Sequence, residues 1–194
     1  MRTLTKLAVG VSLALASSAA SAAIVDVDVT GVNSWDVQGD ADNEILTIDL
    51  AAELGLASGT SVTISGVGWD VSLQAEGLSW LSEPTVSING EIIISPGFGD
   101  DGPGDNLETA YSSGGILSLF DNGLDDVVLA DGILVLEFFE GYDDIADTVD
   151  AVWTSGNLSF DATATQVPLP AALPLLATGL AGLFFGGARR RKAI

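Results

Sequence analysis

The distribution of charge along the chain limits what it can fold into more than any other feature. Its 6 Lys and Arg residues all lie in the two terminal segments, whereas its 27 Asp and Glu residues all lie between Ala23 and Ala188. The central segment therefore cannot form salt bridges between its own side chains, so carboxylates that stay ionised must face water or bind cations from solution. A formal net charge of -21 also repels phosphate, which excludes nucleic acid as an expected partner.

Histidine and cysteine are both absent from the chain. Their absence removes disulfides, thiolate nucleophiles, zinc sites of the Cys/His type and imidazole as a general base. A serine nucleophile would have neither His nor Lys as its base within the central segment. We therefore expect a protein that is not an enzyme. Carboxylate-based glycoside hydrolysis stays open as an alternative, because spacing in sequence does not fix the separation of two carboxylates.

The central segment alternates apolar and polar residues as β-strands do. In the run 24–29, Val25, Val27 and Val29 fall on one face and two aspartates on the other. A change of parity across Ser65-Gly66 predicts a β-bulge, and Asn89-Gly90 predicts a tight hairpin turn. Candidate strands are 24–29, 44–50, 60–73, 78–81, 85–88, 91–94, 116–120, 126–129, 133–139 and 151–160.

Short strands separated by Gly, Asp, Asn and Ser turns predict one all-β domain, an antiparallel β-sandwich over 23–161. The nearly continuous apolar run 133–139 is typical of a central strand. The run 50–56 is the one candidate for a short helix. Of the four tryptophans, we expect Trp69 and Trp153 in the core and the other two, Trp35 and Trp80, nearer the surface.

The first residues have the three parts of an export signal in order. Two cations precede an apolar run at 7–16, which is too short to span a bilayer, and small residues follow it. We therefore predict a signal peptide over 1–22, with a cleavage site formed by Ala20, Ala22 and Ala23.

The last residues have the composition of a membrane anchor. The uncharged run 171–188 would form a helix about 27 Å long at 1.5 Å per residue, close to the hydrocarbon thickness of a bilayer. We predict a transmembrane helix there, joined to the domain by a linker at 162–166. The positive-inside rule keeps the cluster after it in the cytoplasm and the acidic domain outside. That cluster is Arg189, Arg190, Arg191 and Lys192.

The motif Val167-Pro168-Leu169-Pro170-Ala171, followed by an apolar segment and an Arg-rich tail, resembles the VPLPA-CTERM variant of the PEP-CTERM sorting signals of Gram-negative bacteria. The resemblance implies that 167–194 is a sorting signal recognised by an exosortase, a transpeptidase-like enzyme of the inner membrane that processes the tail. It further implies that the cargo reaches the cell surface or the extracellular matrix. A permanent single-pass anchor is the alternative for the same residues.

The loop 99–108 is the first candidate for a metal site. Ca²⁺ takes six to eight oxygen ligands on a backbone that can bend around it, and this loop alternates such ligands with glycine. A solvated turn is the alternative, because turns need the same residue types. The acidic runs 40–44 and 143–147 are weaker candidates. The predicted ligands are Asp100, Asp101, Asp105, Asn106 and Glu108.

Together these patterns lead us to expect an exported surface protein of structural or adhesive type. Its expected partners are an exosortase and, through the C-terminal segment, the inner membrane. The alternative is a Ca²⁺-dependent carbohydrate-binding module that holds extracellular polysaccharide on exposed aromatic side chains.

Overall fold

The computed structural model describes residues 22–103, 106–144 and 147–164. In these residues two antiparallel β-sheets share one apolar core, so the predicted all-β, sandwich-like fold is confirmed. One α-helix, α1, spans Leu50–Glu53 and a 3-10 helix spans Phe120–Asn122. The strands are β1 Ala22–Asp28, β2 Val32–Ser34, β3 Glu44–Asp49, β4 Val62–Ala75, β5 Pro84–Ile88, β6 Ile92–Ile94, β7 Glu108–Ser112, β8 Leu117–Ser118, β9 Val127–Leu129, β10 Ile133–Glu140 and β11 Ala151–Ala164.

The larger sheet has the strand order β1-β11-β4-β7, with β2 paired to β11 and with β8 and β9 paired to β4. The smaller sheet has the order β3-β10-β5-β6. The run predicted as a central strand is β10, and it does lie between two partners. Its residues Leu134, Leu136 and Phe138 are buried between the sheets. On the other face, Ile133, Val135 and Glu137 are half-buried and Phe139 is buried.

Three local predictions are confirmed. In β1, Val25 and Val27 are buried and the two aspartates between and after them are exposed. In β4, Gly66 pairs with Asp161 and Ile64 pairs with Ala162, so the intervening Ser65 is the extra residue of a β-bulge. Asn89 and Gly90 have φ values of 53° and 73°, as a type I′ hairpin turn requires.

Other elements differ from the prediction. The run 78–81 forms only one bridge, between Trp80 and Pro103, and is otherwise loop. The predicted helix ends early at Glu53, because Gly55, which follows the C-cap residue Leu54, adopts a left-handed φ of 70°. The run 116–120 is divided between the two-residue β8 and the 3-10 helix. Strands β2 and β7 were not predicted, because one is very short and the other lacks an apolar face.

The last strand extends beyond the predicted domain boundary. Strand β11 continues to Ala164 between β1 and β4, and Ala162 is fully buried. The backbone pairing on both sides keeps 162–164 in the sheet, so three residues of the predicted linker belong to the domain. The rest of that linker, residues 1–21 of the predicted signal peptide 1–22, and the sorting signal 167–194 with its helix 171–188 lie outside the described residues. Ala22, the last residue of that predicted signal peptide, is the first residue of β1. Among the described residues, no helix has the length and apolar composition that crossing a membrane requires.

The domain has two distinct ends. At one end, which we call the tail end, Ala22 at the start of β1 pairs beside Thr163 near the end of β11. At the opposite end Ala151, where β11 begins, pairs with both Ser34 and Ala75. We call this the acidic loop end. It consists of the loops 35–43, 76–83, 95–107 and 141–150.

Candidate functional site

Three carboxylates meet at the acidic loop end. One carboxylate oxygen from each of Asp36, Asp42 and Asp147 lies within 4.8 Å of the other two. We call these three residues the acidic centre. Asp36 follows β2 and Asp42 precedes β3, whereas Asp147 belongs to the loop between β10 and β11. The centre therefore joins two loops that are far apart in sequence.

Asp36 is the buried member of the acidic centre, with 4% of its surface exposed. Its backbone carbonyl accepts a hydrogen bond from the Glu140 N–H at 2.9 Å, which attaches it to the end of β10. Its Oδ1 accepts a hydrogen bond from the Asp147 N–H at 3.1 Å. Its Oδ2 is buried and has no hydrogen-bond partner in the described part of the chain. A buried carboxylate oxygen without a partner is costly unless a proton or a cation neutralises the group.

The loop 35–43 is held in position by Asn43, which is itself buried. Its Oδ1 accepts a hydrogen bond from the Asp36 N–H at 3.1 Å. Its Nδ2 donates to the Val37 carbonyl at 2.9 Å and to Glu137 Oε1 at 3.1 Å. The same Glu137 oxygen accepts a hydrogen bond from the Gly39 N–H at 2.6 Å. These bonds fix the acidic centre to β10 without a ligand.

More carboxylates surround the acidic centre. Asp143 has a buried Oδ1 with no partner among the described residues. Burial of this carboxyl raises its pKa, and the charges of Asp36, Asp144 and Asp147 raise it further. Asp143 therefore shares the electrostatic field of the acidic centre.

A second acidic pair lies deeper, beside the core. Burial raises the pKa of Glu140 to about 9, and repulsion from Asp150 and Glu83 adds to this. Both carboxyl oxygens of Glu140 lack hydrogen-bond partners among the described residues. Burial also raises the pKa of Asp150, while an N–H of Asp144 acts against it and the charge of Asp143 adds to it. Glu140 is therefore protonated at neutral pH.

The predicted ligands in the loop 99–108 that the structure describes do not join the acidic centre. Asp100 accepts a hydrogen bond from the Tyr111 hydroxyl at 2.6 Å, and Asp101 is exposed. Asn106 has a left-handed φ of 55°, Glu108 begins β7, and Asp105 lies outside the described residues. Calcium binding by this loop stays a prediction.

The weaker candidate runs each contribute one member of the acidic centre, namely Asp42 and Asp147. Sequence reasoning missed Asp36. It stands alone between Trp35 and Val37, and nothing in that pattern indicates a buried carboxylate. Only the pairing of β2 with β11, which brings the loop 141–150 over it, encloses it.

The aromatic residues divide between the core and the surface. Trp153 is fully buried and its Nε1 donates to Ser34 Oγ at 3.2 Å, whereas Trp69 and Trp35 are half-buried. Trp80 is 41% exposed, as expected from its position in a loop. The acidic loop end also carries two aromatic residues that we did not single out, Phe98 and Tyr142, both largely exposed.

An open cleft of about 620 Å³ lies beside the β-bulge, away from the acidic centre. Its wall carries Phe120, which is 82% exposed, together with Asp125, Asp126 and Asp161. An exposed aromatic ring beside hydrogen-bond acceptors is the kind of surface on which a sugar ring can stack. A glycosidase needs two carboxylates that face each other, and Glu137 and Glu140 lie on opposite faces of β10 because they are three residues apart. They do not face each other across a cleft.

Comparisons of the chain with protein-family models, with curated proteins and with solved structures give no match.

Proposed function

We propose that this chain is an exported, non-enzymatic protein of structural or adhesive type at the cell surface or in the extracellular matrix. Its C-terminal sequence at 167–194 is the sorting signal, which an exosortase processes. One observation supports the role of the domain: the tail end and the acidic loop end lie at opposite ends of β11.

The length of β11 sets the distance between the tail end and the acidic loop end. The strand has 14 residues, and at about 3.3 Å per residue it is about 45 Å long. Because Ala164 is the residue from which the chain continues toward the sorting signal, a domain tethered there holds its acidic loops away from the membrane. Such a geometry suits a protein whose loops bind something outside the cell.

Charge supports the same orientation. All charged side chains of the domain are acidic, so anionic lipid headgroups repel it. Repulsion keeps the body off the membrane, while the cationic cluster Arg189–Lys192 is attracted to the cytoplasmic leaflet. The two charges are therefore separated across the predicted membrane segment.

The experiment follows the native chain in a host that contains an exosortase. Mass spectrometry of the mature protein should find its N-terminus at Ala23 and its C-terminus truncated near the Val167–Ala171 motif. Replacing Arg189, Arg190, Arg191 and Lys192 by Gln should leave the protein unprocessed in the membrane fraction. Asp121→Asn, an exposed change in the domain, is the control and should be sorted normally. Unaltered surface delivery of the Gln variant would contradict the sorting proposal.

A second candidate function is carbohydrate binding, and the cleft beside Phe120 is the observation that favours it. A sugar ring stacked on Phe120 could donate hydroxyl hydrogen bonds to the neighbouring aspartates. Phe120→Ala should then abolish retention of the protein on the extracellular polysaccharide of its host, while Phe98→Ala should not. Equal retention of both variants would exclude this cleft as the binding site.

A further inference from the structure

We propose that the acidic centre, formed by Asp36, Asp42 and Asp147, binds one Ca²⁺ ion that fastens the loop 35–43 to the loop 141–150. This inference does not depend on export or sorting. It places the ion on residues different from the loop 99–108 that the sequence favours.

The first step of the argument is convergence. Three carboxylate oxygens from three separate positions lie within 4.8 Å of one another. Like charges at this distance repel strongly unless a proton or a cation neutralises part of the charge. Because the chain has no Lys, Arg or His between Ala23 and Ala188, that cation cannot be one of the domain's own side chains.

The second step is the state of Asp36. An exposed acidic cluster is stabilised by water alone, but Asp36 is 4% exposed and its Oδ2 has no partner among the described residues. Its other oxygen is already turned toward Asp147, whose N–H donates to it at 3.1 Å. A bound cation would satisfy the free oxygen of a carboxylate group that already lies within 4.8 Å of two others.

The third step is preorganisation. Asp36 is fixed through both its N–H and its carbonyl, by Asn43 and by Glu140 respectively. Asp42 is fixed by its own N–H, which donates to Asp40 Oδ1 at 3.1 Å. Metal binding therefore needs little rearrangement of the backbone at these two ligands, which lowers the ordering cost.

The identity of the ion follows from its ligands. All three are carboxylates, and the chain contains no Cys or His, so zinc and copper lack their preferred donors. Ca²⁺ accepts irregular sets of six to eight oxygens, whereas Mg²⁺ demands a near-ideal octahedron. Asp143, with its buried and unpartnered Oδ1, offers a further oxygen beside the centre, and water completes the sphere.

The test is calorimetric titration of the full-length chain in mild detergent with CaCl₂, after removal of metal with EDTA. We expect one site per chain with a Kd of about 0.1–1 mM, the range of extracellular modules. Asp42→Asn and Asp147→Asn, both on exposed loops, should each weaken binding by about tenfold or more. Asp121→Asn, which removes the same charge far from the centre, should bind within about twofold of wild type.

Three further results decide the outcome. Asp36→Asn should abolish calcium binding. If this variant does not fold, the proposal is tested by Asp42→Asn and Asp147→Asn alone. Asp101→Asn should bind like wild type, so loss of binding in that variant alone would move the ion to the loop 99–108 and overturn the proposal. Absence of calcium binding, or Mg²⁺ binding as tight as Ca²⁺ binding, would overturn it as well.

Discussion

The ring of Phe138 in β10 meets the ring of Trp153 in β11 edge to face, with centroids 5.1 Å apart and an angle of 85° between the planes. Phe138 belongs to the smaller sheet and Trp153 to the larger, and both are fully buried. This contact joins the two sheets at the centre of the core. It lies near the acidic loop end, because Trp153 also donates to Ser34.

The first prediction concerns this contact. Phe138→Ala should lower the free energy of unfolding by about 3–5 kcal/mol, since it removes a buried ring and leaves a cavity between the sheets. Urea unfolding followed by tryptophan fluorescence measures the change. Phe120→Ala, at an exposed ring, is the control and should cost less than about 0.5 kcal/mol. Equal losses in the two variants would mean that Phe138 does not lie in the core.

The second prediction concerns the closest approach of backbone between β11 and β4. Gly156 has a left-handed φ of 111°, and a Cβ there would lie 2.6 Å from the Val71 Cα and closer still to the Asp70 carbonyl. Gly156→Ala should therefore lower the free energy of unfolding by more than about 2 kcal/mol, and it should disturb the pairing of β11 with β4.

The matched control for Gly156 is Gly102→Ala. Gly102 has no left-handed φ, and no atom lies within 4 Å of the position that its Cβ would take. The free energy of unfolding of Gly102→Ala, measured with urea, should stay within about 0.5 kcal/mol of the wild-type value. If Gly156→Ala were as stable as this control, the tight register between β11 and β4 would be wrong.

The third prediction concerns the support of the acidic centre. Asn43→Ala removes three hydrogen bonds and leaves the Asp36 N–H without its acceptor, so it should cost about 1–3 kcal/mol. It should also weaken calcium binding in the titration described above, because Asp36 is no longer fixed. Asn122→Ala, at an exposed amide with one bond to the Ser118 carbonyl, should affect neither calcium binding nor stability beyond about 1 kcal/mol. Calcium affinity that is unaltered in Asn43→Ala would show that the loop 35–43 does not hold the ion.

The fold could be predicted from the sequence where the information is local. The alternation around Val25 and Val27 and the change of parity at Ser65 depend on neighbours along one strand, and both predictions are confirmed. Strand β7 was missed because its inward face offers only Thr109 and Tyr111, both half-buried, and no aliphatic side chain. It is a strand because its backbone pairs with β4.

The candidate site could be predicted only in part. Asp42 and Asp147 lie in acidic runs that the sequence displays, but Asp36 does not. The hydrogen bond between Asp36 and Asp147 joins residues 111 positions apart, and no pattern along the chain reports such a contact. Asp36 is buried because β2, β10 and β11 come together around it, and β2 is far from the other two strands in sequence.

The last prediction concerns pH. Burial holds the pKa of Glu140 at about 9 in the folded protein, against about 4.3 for a free glutamate. The folded state therefore binds the proton that the unfolded state releases, and stability is highest below the unfolded pKa and falls as pH rises toward 9. The slope is at most about 1.4 kcal/mol per pH unit for this group. Glu140→Gln, which stays neutral, should remove this slope and be more stable than wild type at pH 8.

Urea unfolding from about pH 2 to pH 9, with EDTA in every sample, measures both this effect and its control. Asp28→Asn gives a control of opposite sign, because hydrogen bonds from the Thr30 hydroxyl and N–H lower the pKa of Asp28. Asp28 therefore stabilises the fold above its unfolded pKa, and this contribution is lost as pH falls through the lowered value. Its variant should lose stability near neutrality and match wild type in acid. The free energy of unfolding of wild type and of Glu140→Gln could instead change in parallel from pH 5 to pH 9. Glu140 would then not be a buried, protonated acid in the folded protein.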